Sequence, residues 1–129
     1  MSAQRSMPLS PHLTIFRWPL TMALSIGHRI TGAALSVGLI MLTVWLVALA
    51  AGPEAFAAVD GVVRSWFGLL VLFGYTLFLF LHLANGVRHL FWDVGIGFDR
   101  ETTHRSGLAA LAFTVGMTVL TWLAIFLLA

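Results

Sequence analysis

The chain has 129 residues, 60% apolar and 9% charged, with a formal net charge of +2 and no cysteine. Soluble domains carry charge on about a quarter of their residues, so composition excludes that class. The lack of cysteine excludes disulfides, thiolate metal sites and thiol catalysis. The seven basic residues are all arginine and lie scattered along the chain, which gives no signal for nucleic acid.

In chain order, residues 1–20 (MSAQRSMPLSPHLTIFRWPL) are proline-punctuated and mixed in polarity, a surface segment rather than a helix. Residues 1–29 contain no continuous apolar core of a signal peptide, and no cleaved transit peptide is visible. That combination suits a bacterial protein better than an organelle precursor. Phe16 and Trp18, beside Arg17, read as anchors at the lipid headgroup level. A helix can start at Thr21 after Pro19.

Residues 30–52, 65–87 and 106–129 hold no Asp, Glu, Lys or Arg. Each is long enough for a hydrocarbon core of about 30 Å, which takes about 20 residues. The expected fold is an all-α membrane protein with three transmembrane helices, near 22–52, 63–92 and 105–128, in an up-down-up bundle forming one domain. AGPEAFAAVDGVV, after the first span, is apolar enough for a short interfacial helix. DVGIGFDRETTHR (93–105) is the main polar loop, and His104 within it reads as a plain loop histidine. Thr114, Thr118 and Thr121 recur at helical spacing in the third span and are assigned to packing. No internal repeat supports an inverted-repeat transporter.

Arg5, Arg17, Arg29, Arg88, Arg100 and Arg105 flank one end of the expected bundle, against Arg64 alone at the other. By the positive-inside rule the N-terminus and the second connection are cytoplasmic.

The polar residues of the second span form a pattern. In HLANGVRHLFWD (82–93), His82, Gly86, His89 and Asp93 fall with Tyr75 within about 40° of one line on a helix, flanked by Phe78 and Asn85. Ionisable groups at membrane depth are costly and face a cavity or a partner. On the first span Ser25, His28, Arg29, Gly32 and Ser36 share a face at the same end. His82 lies about 9 Å deeper than Arg88.

Two readings of His82 stand side by side. It bonds a serine or a carbonyl of another helix, or it is an axial ligand to haem iron, with Gly86 giving a porphyrin clearance and His28, Arg29, Arg88 and His89 facing the propionates. His82 and His89 are about 10.5 Å apart along one helix and cannot share an iron. A six-coordinate haem b therefore needs its second ligand from a partner subunit. Ser25 and Arg29 are one turn apart. They either donate to a quinone carbonyl and stabilise its anionic reduced forms, or form a polar helix start with the arginine snorkelling to headgroups. Asp93 can orient His89 or Arg29.

PLSPHLTIF (8–16), SIGHRITG (25–32) and HLANGVRHLFWDVG (82–95) together resemble the cytochrome b membrane-anchor subunit of succinate dehydrogenase, respiratory complex II. The resemblance spans the whole chain. It implies a haem b- and quinone-binding subunit, embedded in the bacterial inner membrane and packed against a second three-helix anchor subunit. Together they would hold an iron-sulfur subunit and a flavoprotein subunit that oxidises succinate, and pass electrons to ubiquinone. By motif position it implies His82 as the haem axial ligand, Ser25 and Arg29 as the quinone-site pair, and His28 near the propionates. His89 and Asp93 support the site. Gly27 stands where many relatives carry a larger apolar residue. A fumarate reductase anchor running the reverse reaction, and a non-catalytic assembly subunit, are the other readings.

Overall fold

The structure, a computed structural model, describes residues 17–128. The expected surface segment lies outside the described residues up to position 16, including PLSPHLTIF. Four helices occur among the described residues: α1 (Leu20–Ala51), α2 (Pro53–Val63), α3 (Trp66–Asp93) and α4 (Arg100–Leu128). Three of them, α1, α3 and α4, are long and apolar enough to cross a membrane, and there is no strand among the described residues.

Local chemistry sets the boundaries. Pro19 occupies the N-cap of α1 in an extended conformation, where its missing N–H costs nothing. Gly52, at φ 118°, ends that helix, and Pro53 starts α2 at once. Ser65 caps α3 by accepting from the Gly68 amide at 3.1 Å, so α3 begins at Trp66 rather than near 63. Its far end closes in a Schellman motif: the Gly95 amide donates to the Trp92 carbonyl at 2.8 Å, and the Ile96 amide to Phe91 at 3.0 Å. Gly95 takes the left-handed position this motif requires, at φ 81°. Asp99 then caps α4 through the Thr102 amide at 2.8 Å. The polar loop expected over 93–105 accordingly shrinks to residues 94–99, and α4 starts five residues before the expected 105.

Contacts fix the directions. Gly38 faces Tyr75, Gly32 faces His82, and His28 faces Gly86, so α1 and α3 run antiparallel. The ring pairs Phe73–Trp122 and Phe80–Phe113, with the Arg88–Ser106 hydrogen bond, make α3 and α4 antiparallel as well. The start of α1, the end of α3 and the start of α4 therefore gather at one end of the bundle, with the arginines at positions 17, 29, 88, 100 and 105. Arg64 lies at the opposite end, ion-paired to Asp60 at 2.6 Å.

The interior is polar and the outside apolar. The buried polar side chains are Thr31, Asn85, Arg88, Thr114 and Thr118, whereas the buried apolar ones are Leu24, Ala48 and Ala110. Large apolar residues such as Ile40, Leu70, Leu120 and Phe126 are exposed along the helices. In water this arrangement would be unstable. In lipid it is the expected one, because tails solvate the apolar surface and small or polar residues mediate helix contact. Thr114, Thr118 and Thr121 donate to the carbonyls of Ala110, Thr114 and Met117 respectively, each at 2.8 Å, as packing residues do.

Candidate functional site

The site lies where α1 crosses α3. Both helices carry a histidine four residues before a glycine, HRITG at 28–32 and HLANG at 82–86. Run antiparallel, each histidine meets the other helix's glycine. A Cβ on Gly32 would lie 3.1 Å from His82 Cε1, and one on Gly86 would lie 3.8 Å from His28 Cε1. The two imidazoles stack, with centroids 3.9 Å apart and planes 10° from parallel. Gly86 thus lies against His28 across the helix contact.

His82 is held at one nitrogen. Its Nδ1 lies 3.1 Å from Thr31 Oγ1 and 3.2 Å from the His28 carbonyl. The Thr31 hydroxyl lies 3.0 Å from the same carbonyl and donates to it. A carbonyl only accepts, so a proton on Nδ1 satisfies all three contacts, whereas a bare Nδ1 would set its lone pair against the carbonyl's. The Nδ1–H tautomer follows, and Nε2 keeps its lone pair. These are the ring's only hydrogen bonds among the described residues. The expected bond from His82 to another helix is therefore present, and it leaves the second nitrogen uncommitted.

Beside His82 an open groove of about 800 Å³ runs between α1 and α3, lined by apolar side chains including Leu35, Leu39, Leu42, Leu72 and Leu79. Tyr75 closes against Gly38, where an added Cβ would lie 2.6 Å from its ring.

The remaining expected site residues divide. His28 is half-buried, with Nδ1 sequestered and without a hydrogen-bond partner among the described residues. His89 tilts over His28 at 5.2 Å between centroids and stands edge-on to Trp92 at 5.0 Å. The three rings are neighbours, yet no group of three or more His, Asp or Glu among the described residues converges to hold a metal ion. Ser25 is half-buried and Arg29 exposed, and neither makes a hydrogen bond or ion pair among the described residues. The polar face expected on α1 is thus split: His28 and Gly32 turn onto α3, while Arg29 and Ser36 lie at its exposed edge. Asp93 is exposed at the last position of α3 and bonds neither His89 nor Arg29. The orienting role expected for it has no counterpart in the described contacts.

Arg88 differs from expectation. It is 8% exposed and turned toward α4, not the histidines. Its Nη1 donates to Asn85 Oδ1 at 2.6 Å, Nη2 to the Thr103 carbonyl at 3.2 Å, and Nε to Ser106 Oγ at 3.2 Å. The guanidinium also lies 4.8 Å from the Trp92 ring centroid. Asn85 in turn donates to the Leu24 carbonyl of α1 at 3.1 Å. One chain of hydrogen bonds joins all three long helices just beside the histidines. Asn85 and Arg88, three apart on one helix, were the available signal for it.

Among the described residues, an all-helical bundle with polar interior, apolar exterior and paired histidines at one end defines an all-α membrane protein. The family described as succinate dehydrogenase/fumarate reductase transmembrane subunit matches residues 3–121. The succinate dehydrogenase cytochrome b556 subunit of Paracoccus denitrificans is 48% identical over 119 residues, 92% of each chain. The cytochrome b560 subunit of Reclinomonas americana is 34% identical over 121 residues, 90% of this chain and 84% of that one. The mitochondrial b560 subunit of Sus scrofa is 41% identical over 113 residues, 84% of this chain and 65% of that one. The chain belongs to the family of succinate dehydrogenase/fumarate reductase transmembrane subunits.

Proposed function

We propose that this protein is the haem b- and quinone-binding anchor of a succinate:quinone oxidoreductase, with His82 as one axial ligand. The observation that carries the reading is the fixed tautomer of His82, whose Nδ1 is committed to α1 while Nε2 is uncommitted. Neutral imidazole is a favoured haem ligand. An apolar groove beside it suits a porphyrin face. The residues present therefore fit haem, and when bound it supplies a one-electron carrier within the membrane.

His28 lies at the same depth but stacks parallel on His82 at 3.9 Å, so the two rings cannot hold one iron between them, and the second ligand comes from another membrane-anchor subunit. His28, His89 and Asp93 line the same end and, with Arg29, support the propionate side. Ser25 and Arg29 are hydrogen-bond donors free of partners among the described residues and one helical turn apart. They suit a quinone carbonyl, to which both can donate while the guanidinium charge stabilises the reduced oxygen. The arginine-rich end faces the cytoplasm of a bacterial inner membrane, where the iron-sulfur and flavoprotein subunits dock. The relatives named for succinate dehydrogenase favour succinate oxidation over the fumarate reductase direction, and ubiquinone is the proposed acceptor.

The test is His82→Ala in the assembled complex. The b-type absorption bands should disappear while the subunits still co-purify. Retention of the bands in that variant sinks the ligand assignment.

A further inference from the structure

We propose that Thr31 is the positioning residue for His82, fixing its tautomer and ring plane through a hydroxyl shared with the His28 carbonyl. This rests on the reading of His82 as a haem ligand and adds a residue to it. Thr31 is 2% exposed, so its hydroxyl has no water to turn to and must find its partners within the helix contact. It donates to the His28 carbonyl at 3.0 Å, which leaves its oxygen lone pairs directed at His82 Nδ1, 3.1 Å away. The acceptor for Nδ1–H is thus a neutral hydroxyl and a carbonyl, not a carboxylate.

Three consequences follow. The ring plane is held, because the Cε1 edge abuts Gly32 and one face lies on His28. The proton stays on Nδ1, so Nε2 is the donor atom. The electron density that the imidazole lends a metal is set by these two neutral acceptors, since a hydrogen-bonded ring N–H raises ligand basicity. Losing the hydroxyl weakens that donation and disfavours the ferric state.

The experiment compares Thr31→Val, which keeps shape and loses the hydroxyl, with Thr31→Ser, which keeps the hydroxyl and loses the methyl. Both are made in the full complex. Readouts are haem content per flavin, haem midpoint potential, and the EPR g-values of the ferric haem, which follow the orientation of the ligand planes. Thr31→Val should raise the midpoint potential, shift the g-values and weaken haem retention on the order of 10-fold. Thr31→Ser should match the unsubstituted complex. The reverse pattern, with Thr31→Ser perturbed and Thr31→Val unchanged, would assign Thr31 to methyl packing and overturn the proposal. Should Thr31→Val not assemble, Thr31→Ala removes the same hydroxyl with less crowding and is read the same way. Haem lost in His82→Ala but unchanged in Thr31→Val overturns the role of Thr31 alone. Haem kept in His82→Ala overturns both.

Discussion

His28 and His82 lie face to face across the α1–α3 contact, each ring seated over a glycine of the opposite helix. The arrangement is reciprocal because two antiparallel helices carry the same spacing, histidine then glycine one turn on. Both rings fill the α1–α3 gap at this level, where each helix offers a glycine. Glycines at the crossing should therefore differ sharply in tolerance. Gly38→Ala places a Cβ 2.6 Å from the Tyr75 ring and should cost about 1–3 kcal/mol through overpacking. Gly27→Ala meets nothing within 4 Å and should stabilise α1 by up to about 1 kcal/mol. Thermal unfolding of the detergent-solubilised complex measures both. Equal effects would contradict the close-approach account.

Arg88 is the tie between the histidine end of α3 and α4. Arg88→Met keeps the length of the side chain but leaves Asn85 Oδ1 and Ser106 Oγ without the guanidinium donor, while the Thr103 carbonyl keeps the Ser106 hydroxyl. A hydrogen bond to a charged group is worth about 1.5–3 kcal/mol, so a loss of about 2 kcal/mol or more is expected. Haem absorption in whatever complex survives should be near normal, because the guanidinium does not touch the histidines. Loss of haem at unchanged stability would place Arg88 in the cofactor site instead.

Arg29 is exposed and free of ion pairs among the described residues, so Arg29→Leu should change stability by less than about 0.5 kcal/mol. Quinone reduction should nevertheless fall about 10-fold or more, because a charged donor to the developing oxyanion is lost. Succinate oxidation with an artificial acceptor dye should persist. Ser25→Ala should act in the same direction with smaller size. Normal quinone turnover in Arg29→Leu would leave only the snorkelling role.

Asp99 lies outside the spans, and the hydrogen bonds from Thr102 hold its carboxyl below the usual carboxylate range. Since the folded value is the lower one, the cap is intact above about pH 4, the ordinary aspartate range, and is lost as pH falls through the depressed value. Amide exchange at Thr102 and Thr103, corrected for intrinsic rates, should accelerate only on that acid side. Asp99→Asn should remove the pH dependence while keeping most of the cap.

Much of this protein was legible in the amino-acid sequence by itself. Three charge-free stretches longer than a bilayer core can only be helices, because lipid offers no partner to a bare backbone. The stripe of Tyr75, His82, Gly86, His89 and Asp93 needed nothing but helical periodicity; the first four face α1, while Asp93 is exposed at the helix end. What periodicity cannot supply is the rotation of one helix against its neighbour. That rotation decided that Gly86 seats His28, that Arg88 turns to α4 rather than to the histidines, and that Thr31, unremarkable among spanning residues, holds His82 by its Nδ1. Each depends on which side chains fill a gap a few ångströms wide between two helices, and that gap exists only once the bundle has formed.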